Sequence, residues 1–270
     1  MAAKAHGMQW KFPERDFYPR PEKYVDMSDI DKVQPVDPLE DPTWSVSVRA
    51  ARIMKEKVGD EVAVLGCIES PNMIASEVVG METLLMGCLT DPDAVSKLLD
   101  AVTQSSIRYG EVVNEIGVDG IFIEGSTAGG EMMDPSMFQQ FDGQYLVRVI
   151  DSCRANGLST LLHNCSEKPL WREHLGTGPT AIHLQLSSVG MPEVAAEVKG
   201  KTCFIAGIEH RELLLNHTPD EVKAEVKNAL DAWGQDPGLI IGPGCELPYK
   251  VPVENIKALK ESVELYGKRQ

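Results

Sequence analysis

The sequence predicts an α/β fold of the TIM-type (β/α)8 barrel class, with about six recognisable βα units. Two observations lead to this prediction. Short apolar runs rich in β-branched residues alternate with longer amphipathic stretches, which is the pattern of helices packed on a parallel sheet. Polar and sulfur-containing residues follow the apolar runs, where parallel sheets carry their active sites. A chain of 270 residues, 43% of them hydrophobic, is long enough to bury a full core.

Residues 1–45 are predicted to form an extended N-terminal arm that packs on a surface, and residues 46–270 the barrel domain. Proline fixes φ and removes a backbone donor, so a proline-rich segment is a poor source of regular elements. The prolines of the arm are Pro13, Pro19, Pro21, Pro35, Pro38 and Pro42.

Six runs are predicted to be strands. They are Val62–Ile68, Gly120–Glu124, Thr160–Cys165, Ala181–Leu186, Cys203–Ile208 and Leu239–Gly242. Six is two short of the eight strands of a closed barrel. Either the first ~50 residues contribute unusual strands, or the barrel is open and a partner covers it. An open edge exposes unpaired backbone groups, so we expect a homo-oligomer.

Helices are predicted between the strands from apolar residues at helical spacing. One covers Pro92–Gly117, and a second covers Pro135–Asn156 with Asp134 as its N-cap. Thr218 before Pro219 is predicted to open a third in the same way, because proline fits the first helical position.

The charge balance limits the possible partners. The chain has 26 basic and 41 acidic residues, a net charge of −15, which disfavours binding to nucleic acid or an anionic membrane. No apolar run is long enough for a membrane span, and the start of the chain lacks the apolar middle of a signal peptide. We therefore expect a cytoplasmic protein whose six cysteines are mostly reduced.

His163 and Cys165 suggest a metal site. They are two residues apart on a predicted strand, so their side chains point to the same face, whereas Asn164 faces the other way. Cys245 lies in the loop GPGCELP after another strand, where Gly242 and Gly244 are expected to let the backbone turn inward. The alternative is that these are small buried residues with no ligand.

Two thiolates and one imidazole suit Zn²⁺, and three protein ligands leave the fourth position open, as in catalytic sites. Zinc beside thiolates lowers the pKa of a bound thiol, which favours alkyl transfer to or from sulfur. The four remaining cysteines, Cys67, Cys88, Cys153 and Cys203, are predicted to be plain buried residues.

Glu124 ends an apolar strand and is the candidate catalytic residue. Its carboxylate suits a general acid/base, a substrate contact or a transient zinc ligand. Equally, it suits a structural role in which the carboxylate caps the next loop. Glu209 and Glu246 are weaker candidates, for which a role in loop structure is favoured. The segment GSTAGG lacks the spacing of a phosphate-binding loop, so a nucleotide is not supported.

These residues resemble the uroporphyrinogen decarboxylase superfamily, and within it the methylcobamide:coenzyme M methyltransferases and related corrinoid-dependent enzymes. The similar stretches are METLLMGCLTDPDAVSKLLDAVT, GVDGIFIEGSTAGGEMMDPSMFQQF, LLHNCS, FIAGIEHRELLLNHTPDEVKAEV and GPGCELPYKVPVENIKAL. The zinc pattern of those methyltransferases, HxC followed far downstream by C, matches His163, Cys165 and Cys245. The arginine-containing N-terminal signature of true decarboxylases is absent, which argues against porphyrinogen decarboxylation.

The resemblance implies a TIM barrel whose mouth docks a separate corrinoid protein, with methyl transfer between cobalt and a zinc-held thiol such as coenzyme M. Members of the family usually carry a longer N-terminal segment with the first two barrel strands, so the resemblance implies a barrel that is shortened at its N-terminus.

Three alternatives remain open from the sequence. The first is demethylation of a methylated amine, thioether or aryl ether by the same type of site. The second is a cobalamin-independent transfer like that of methionine synthase. The third is a non-catalytic subunit that keeps zinc for structure.

Overall fold

The computed structural model describes residues 1–14 and 19–267 of the chain. The strands are β1 (Gln9–Lys11), β2 (Arg20–Lys23), β3 (Leu65–Glu69), β4 (Gly120–Glu124), β5 (Ser159–Asn164), β6 (Ala181–Gln185), β7 (Cys203–Ile208) and β8 (Leu239–Pro243). Strands β1 and β2 form an antiparallel hairpin, and β3 to β8 form a six-stranded parallel sheet in sequence order. All six predicted strands of the sheet are confirmed.

Helices connect the strands. They are α1 (Ala2–Ala5), α2 (Trp44–Val58), α3 (Pro71–Val79), α4 (Met81–Thr90), α5 (Pro92–Ile116), α6 (Pro135–Phe138), α7 (Gln144–Ala155), α8 (Trp171–Gly176), α9 (Met191–Val198), α10 (Leu213–Asn216), α11 (Pro219–Trp233) and α12 (Val253–Tyr266). Short segments of 3-10 helix cover Met27–Lys32 and Leu186–Ser188, and a π-helical turn covers Gln139–Gly143 between α6 and α7.

Local signals account for the helix ends. Asp134 accepts hydrogen bonds from the backbone of Ser136 and Met137 at the start of α6, as expected for an N-cap. Thr218 and Glu221 form a reciprocal capping box at the start of α11. Helix α5 ends at Gly117, whose φ of 83° is the left-handed conformation that glycine adopts most easily. The three predicted helix positions are therefore confirmed, the second with a π-helical turn inside it.

The two faces of the parallel sheet differ. Residues such as Ile123, Leu162 and Phe204 point toward the helices and belong to the hydrophobic core clusters. Because side chains alternate along a strand, the intervening residues point to the opposite, inner face. A large part of this inner face is accessible at the two edge strands: Cys67 on β3 is exposed, and Ile240 on β8 has 49% exposure.

The N-terminal segment contains more structure than the predicted extended arm. It holds α1, the hairpin and the 3-10 turn, and it packs on the helical side of the domain. Ala2, Ala3 and Ile30 belong to the largest core cluster. The Ser105 hydroxyl of α5 accepts from the Val36 backbone N–H at 2.8 Å, which ties the end of this segment to the domain. The division at residue 45 stays a prediction.

In the described residues, no single helix is long and apolar enough to cross a membrane; only α3 and α4 taken together, bent by 105° between them, meet that criterion of length and composition.

A buried acid–imidazole pair lies between the π-helical turn and α8. Asp142, in the π-helical turn, and His174, on α8, are both fully buried, with Oδ2 and Nε2 3.9 Å apart. Burial raises the pKa of Asp142 to about 8 and lowers the pKa of His174 to about 4. Since burial opposes both charges, the pair is a neutral carboxylic acid beside a neutral imidazole near pH 7.

We expect Asp142→Asn to change how stability depends on pH. The folded-state pKa of Asp142 is raised above its unfolded value of 3.8. Below that pH the carboxyl does not lower the free energy of unfolding, whereas between that pH and about pH 8 it lowers it progressively, because only the unfolded chain loses the proton there. The variant lacks this titration. The free energy of unfolding of the variant minus that of the parent should therefore be larger at pH 8 than at pH 4.5, by at least about 1 kcal/mol, the equivalent of roughly one pKa unit. Urea unfolding at both pH values measures the difference, and parallel pH profiles would contradict the assignment.

Candidate metal centre

The pairing of the strands lines up one row of side chains across the inner face. Register pairs connect Glu69 to Glu124, Glu124 to His163, and His163 to His183. The same row continues to Ile205 on β7 and Ile240 on β8. Residues at one level of a parallel sheet share a face, so two carboxylates and two imidazoles lie side by side near the carboxyl ends of four strands.

His163, Cys165 and Cys245 come together next to this row. Each offers one ligand atom, and the three atoms lie within 4.8 Å of one another. His163 is on β5, Cys165 follows the last residue of that strand, and Cys245 lies in the loop after β8. The structure therefore brings together the three residues predicted from the sequence, with Cys165 one residue beyond the strand.

Aromatic contacts hold the His163 ring in place. Its centroid is 5.4 Å from that of Phe122 and 4.5 Å from that of His183. The residue is 2% exposed, and its Nδ1 has no hydrogen-bond partner among the described residues. Buried ring nitrogens are usually paired, so an imidazole in this environment is suited to binding an ion.

The two cysteines share a proton. The Cys245 thiol donates to the Cys165 sulfur at 3.5 Å. This bond, together with a hydrogen bond from His163, lowers the pKa of Cys165, and the same bond raises the pKa of Cys245. Both sulfurs become available as ligands once the proton between them leaves, as metal binding requires. Two sulfurs and an imidazole nitrogen are a donor set suited to Zn²⁺.

Gly244 and Gly207 allow the Cys245 loop to approach the sheet. A Cβ on Gly207 would lie 2.7 Å from the Gly244 Cα, and a Cβ on Gly244 would lie 2.9 Å from the Gln185 side chain. The Gly244 backbone N–H also donates to the Ile208 carbonyl at 2.7 Å. Gly244 acts as expected, whereas Gly242 has ordinary space for a side chain. The second close contact belongs to Gly207, which the sequence argument did not assign.

Asn164 points to the opposite side of the strand, as predicted. Its Nδ2 donates to the carbonyls of Gly125 and Ala128, at 2.9 and 3.3 Å, and its Oδ1 accepts from the Ser166 backbone. This buried amide holds the chain on both sides of Cys165 and keeps the adjacent loops in place.

Glu124 lies in the row beside His163. Its Oε1 accepts from the Ser126 hydroxyl at 3.1 Å, so it caps the following loop while facing the candidate centre. Burial raises the pKa of Glu124, and the negative charges of Cys165 and Glu69 add to the effect. Its catalytic role stays a prediction.

Glu209 has a structural role. Burial alone would raise the pKa of its carboxylate, but hydrogen bonds from the backbone N–H groups of Leu213, Arg211 and Glu212 outweigh burial and lower it. The interpretation of Glu209 as a loop residue agrees with these contacts.

The expectation that Cys67 is buried was wrong. Cys88 and Cys153 are buried and Cys203 is partly buried, but Cys67 is exposed, because it lies on the inner face of the edge strand β3. All six cysteines are free thiols.

His183 is the main residue that the sequence argument missed. It lies in the middle of β6, between the apolar residues Ile182 and Leu184, with no motif around it. Its ring contacts His163, and its Nε2 donates to the Pro243 carbonyl at 3.0 Å, two residues before Cys245. His183 therefore connects the strand that carries His163 with the loop that carries Cys245. Only the strand register, which places it beside His163, could have identified it.

The fold and the candidate centre define an α/β barrel-type protein with a sulfur-rich site at the carboxyl ends of its strands. The chain belongs to the uroporphyrinogen decarboxylase family: the model of that family, Uroporphyrinogen decarboxylase (URO-D), matches residues 1–266. The resemblance stated from the sequence is confirmed.

Relatives of the chain include methyltransferases as well as uroporphyrinogen decarboxylases. The chain is 28% identical to the methylcobamide:CoM methyltransferase MtaA of Methanosarcina barkeri, over 86% of this chain and 67% of that protein. It is 25% identical to the methylcobamide:CoM methyltransferase MtbA of Methanosarcina mazei, over 89% of this chain and 69% of that protein. A solved methyltransferase from Methanosarcina mazei superposes with a TM-score of 0.88 at 24% identity, covering 99% of this chain and 78% of that one, which confirms the predicted fold class.

We expect His183→Phe to weaken zinc binding by about 10- to 100-fold, the usual cost of losing a residue that orients a metal ligand. The variant keeps an aromatic ring against His163 but loses the N–H that holds the Pro243 carbonyl. Competition with a chromophoric chelator measures the affinity. His217→Gln, at an exposed imidazole paired with Glu221, is the control, and equal affinity of His183→Phe and parent would contradict the role.

Proposed function

We propose that this chain is a zinc-dependent methyltransferase that moves a methyl group between a corrinoid protein and a small thiol. The observation that carries the proposal is the cluster of His163, Cys165 and Cys245, with ligand atoms within 4.8 Å, in a chain whose relatives are named methylcobamide:CoM methyltransferases. Coenzyme M is the thiol named for those relatives.

The donor set supports zinc over other divalent metals. Thiolate sulfur and imidazole nitrogen are soft or borderline ligands, which disfavours magnesium and calcium. Three protein ligands leave one position for a substrate sulfur, as a catalytic site requires. Bound zinc would lower the pKa of that sulfur and so supply a thiolate at neutral pH.

The residues of the chain prepare the site for this chemistry. Phe122 and His183 hold the His163 ring, and Gly207 lets the Cys245 loop approach. Glu124 would take or return a proton of the substrate, and its position beside His163 together with its raised pKa supports this role. The exposure of Cys67 and Ile240 on the inner face of the edge strands supports access for a substrate and for a corrinoid protein.

The direction of transfer is the finer part of the proposal. We favour attack of a thiolate on a methylated corrinoid, since the relatives are named for that reaction. Demethylation of a methylated amine, thioether or aryl ether by the same centre is the reverse half-reaction. Consumption of methylcobalamin by a panel of thiols, followed by its absorbance, distinguishes the two directions.

We expect the purified protein to hold about one zinc per chain, because the cluster supplies three ligands for one ion. Cys245→Ala should lower turnover of methylcobalamin with thiol by at least about 100-fold, the upper end of the cost of losing a supporting residue. Its melting temperature should stay close to that of the parent, because the loop of Cys245 lies outside the core. Metal analysis, the methylcobalamin assay and thermal melting give the three values.

Cys203→Ala is the matched control, since Cys203 begins β7 at the opposite end of the sheet. It should retain zinc and turnover. Zinc far below one equivalent, together with activity that survives Cys165→Ala, would refute the proposed function. A large loss of melting temperature in Cys245→Ala would instead favour a structural metal and a non-catalytic subunit.

We also propose that the protein is a homo-oligomer. In the described residues β3 and β8 each pair with a strand on one side only, and the inner face beside them is accessible. Exposed strand edges are commonly covered by association. Sedimentation velocity should show a dimer or larger species at micromolar concentration, whereas a single monomeric boundary would contradict this proposal.

A further inference from the structure

Two carboxylates share the row of the candidate metal centre. Glu69 and Glu124 are register partners on β3 and β4, and Glu124 is the register partner of His163 on β5. Neighbouring strands are roughly 4.8 Å apart, so Glu124 lies one strand and Glu69 two strands away from the metal-ligating imidazole, on the same face. Any substrate bound at the centre therefore lies close to these two groups.

A third carboxylate reinforces the negative charge. Glu77, on α3, lies close enough to Glu69 and Glu124 for both to act on it; burial first, and these charges next, raise its pKa to about 7. Glu69 and Glu124 therefore act as negative neighbours of Glu77, in addition to sharing a face with each other.

Positive charge near the centre is already paired. Arg211 acts on Cys165, but its guanidinium is 3.0 Å from Glu167 and 3.8 Å from Glu209. The Met1 amino group lies 3.9 Å from Glu69 and partly offsets that carboxylate. A divalent ion held by two thiolates carries no net charge, so metal binding does not reverse the sign of the surroundings.

The acidic row adjoins a ligand site and is not an isolated surface cluster. His163 is 2% exposed, and its Nδ1 has no hydrogen-bond partner in the part of the chain that the structure describes. One ring nitrogen of His163 and the two cysteine sulfurs lie within 4.8 Å of one another, and Glu124 is the register partner of His163. A substrate bound there through its sulfur therefore has its other atoms beside the carboxylates.

We propose that the centre accepts a small thiol or thioether whose non-reacting end is cationic or neutral, and discriminates against a sulfonate or carboxylate at that end. The inference rests on the proposed function, since it takes the metal as the point where the sulfur binds. It separates this chain from the relatives named for coenzyme M, which is 2-mercaptoethanesulfonate and carries an anion two carbons from its thiol.

Three thiols of equal length test the charge preference. Cysteamine, 2-mercaptoethanol and 2-mercaptoethanesulfonate differ only in whether the far end is an ammonium, a hydroxyl or a sulfonate. Each is titrated into cobalt-loaded protein at low ionic strength, and the increase in thiolate-to-cobalt absorption above that of the Cys165 and Cys245 ligands reports binding. After correction for the thiol pKa of each compound, cysteamine should bind at least about tenfold more tightly than the sulfonate, with 2-mercaptoethanol between them.

Two further comparisons test whether Glu69 and Glu124 cause the charge preference. The ratio of cysteamine to sulfonate affinity should shrink severalfold in Glu69→Gln and in Glu124→Gln, and it should also shrink in 1 M KCl, because salt screens the charges. Glu56→Gln, at an exposed glutamate of α2, is the matched control and should leave the ratio unchanged. The salt comparison uses the unchanged protein, so it applies even when a variant folds poorly.

The outcomes separate this inference from the proposed function. If the sulfonate binds as tightly as cysteamine or more tightly, the charge preference is overturned, whereas sulfur binding at the metal stands. If the preference survives in both glutamine variants and in high salt, the assignment to the row is overturned. If none of the three thiols changes the thiolate-to-cobalt absorption of fully loaded protein, the proposed function fails and the inference fails with it.

Discussion

The in-register pairing of parallel strands is the constraint on which the candidate centre depends. Glu69, Glu124, His163 and His183 are scattered over more than a hundred residues of sequence, yet they lie at one level because consecutive strands pair without an offset in this part of the sheet. A shift of one residue in β5 would turn His163 toward the helices and place Leu162 in the site. The apolar residues of the helix-facing side, which fix that register, therefore also fix the chemistry of the inner face.

Local patterns made a large part of the fold predictable. The six strands of the parallel sheet and the starts of α6 and α11 are signalled by neighbouring residues, as in the Asp134 N-cap and the Thr218 capping box. The cluster of His163, Cys165 and Cys245 was also predictable, because two ligands lie two residues apart at the end of one strand and the third lies in a loop rich in glycine and proline. These are signals over a few residues, which a single sequence contains.

The remaining features depend on contacts between distant segments. His183 becomes part of the centre only through its neighbours on the adjoining strand and the Pro243 loop, and an isolated histidine in an apolar strand gives no sign of that. Cys67 is exposed because its strand is at an edge of the sheet, which depends on strand order. The N-terminal arm was predicted from its prolines, but Ala2 and Ala3 enter the core through packing that composition does not encode.

Ionisable side chains in the core and ionisable side chains at the candidate centre have pKa shifts with different causes. Asp142 and His174 are fully enclosed, and burial keeps both neutral. Cys165 and Glu124, near the open side of the sheet, are affected by charged neighbours as well as by burial. Perturbed groups of the second kind, gathered at strand ends, are typical of functional sites. The neutral pair contributes to the packing between α8 and the π-helical turn.

The contact between Gly207 and Gly244 has a consequence for sequence variation in this loop. A Cβ on Gly207 would lie 2.7 Å from the Gly244 Cα, so a substitution at Gly207 displaces the backbone that carries Cys245. The atom it meets belongs to the backbone, so no change of side chain at position 244 relieves the clash. A Cβ on Gly244 would meet the Gln185 side chain at 2.9 Å, so this position is also restricted. Variation that preserves the centre is therefore confined to the distal part of the loop, where Tyr249 is exposed, and related chains can diversify there without moving the sulfur.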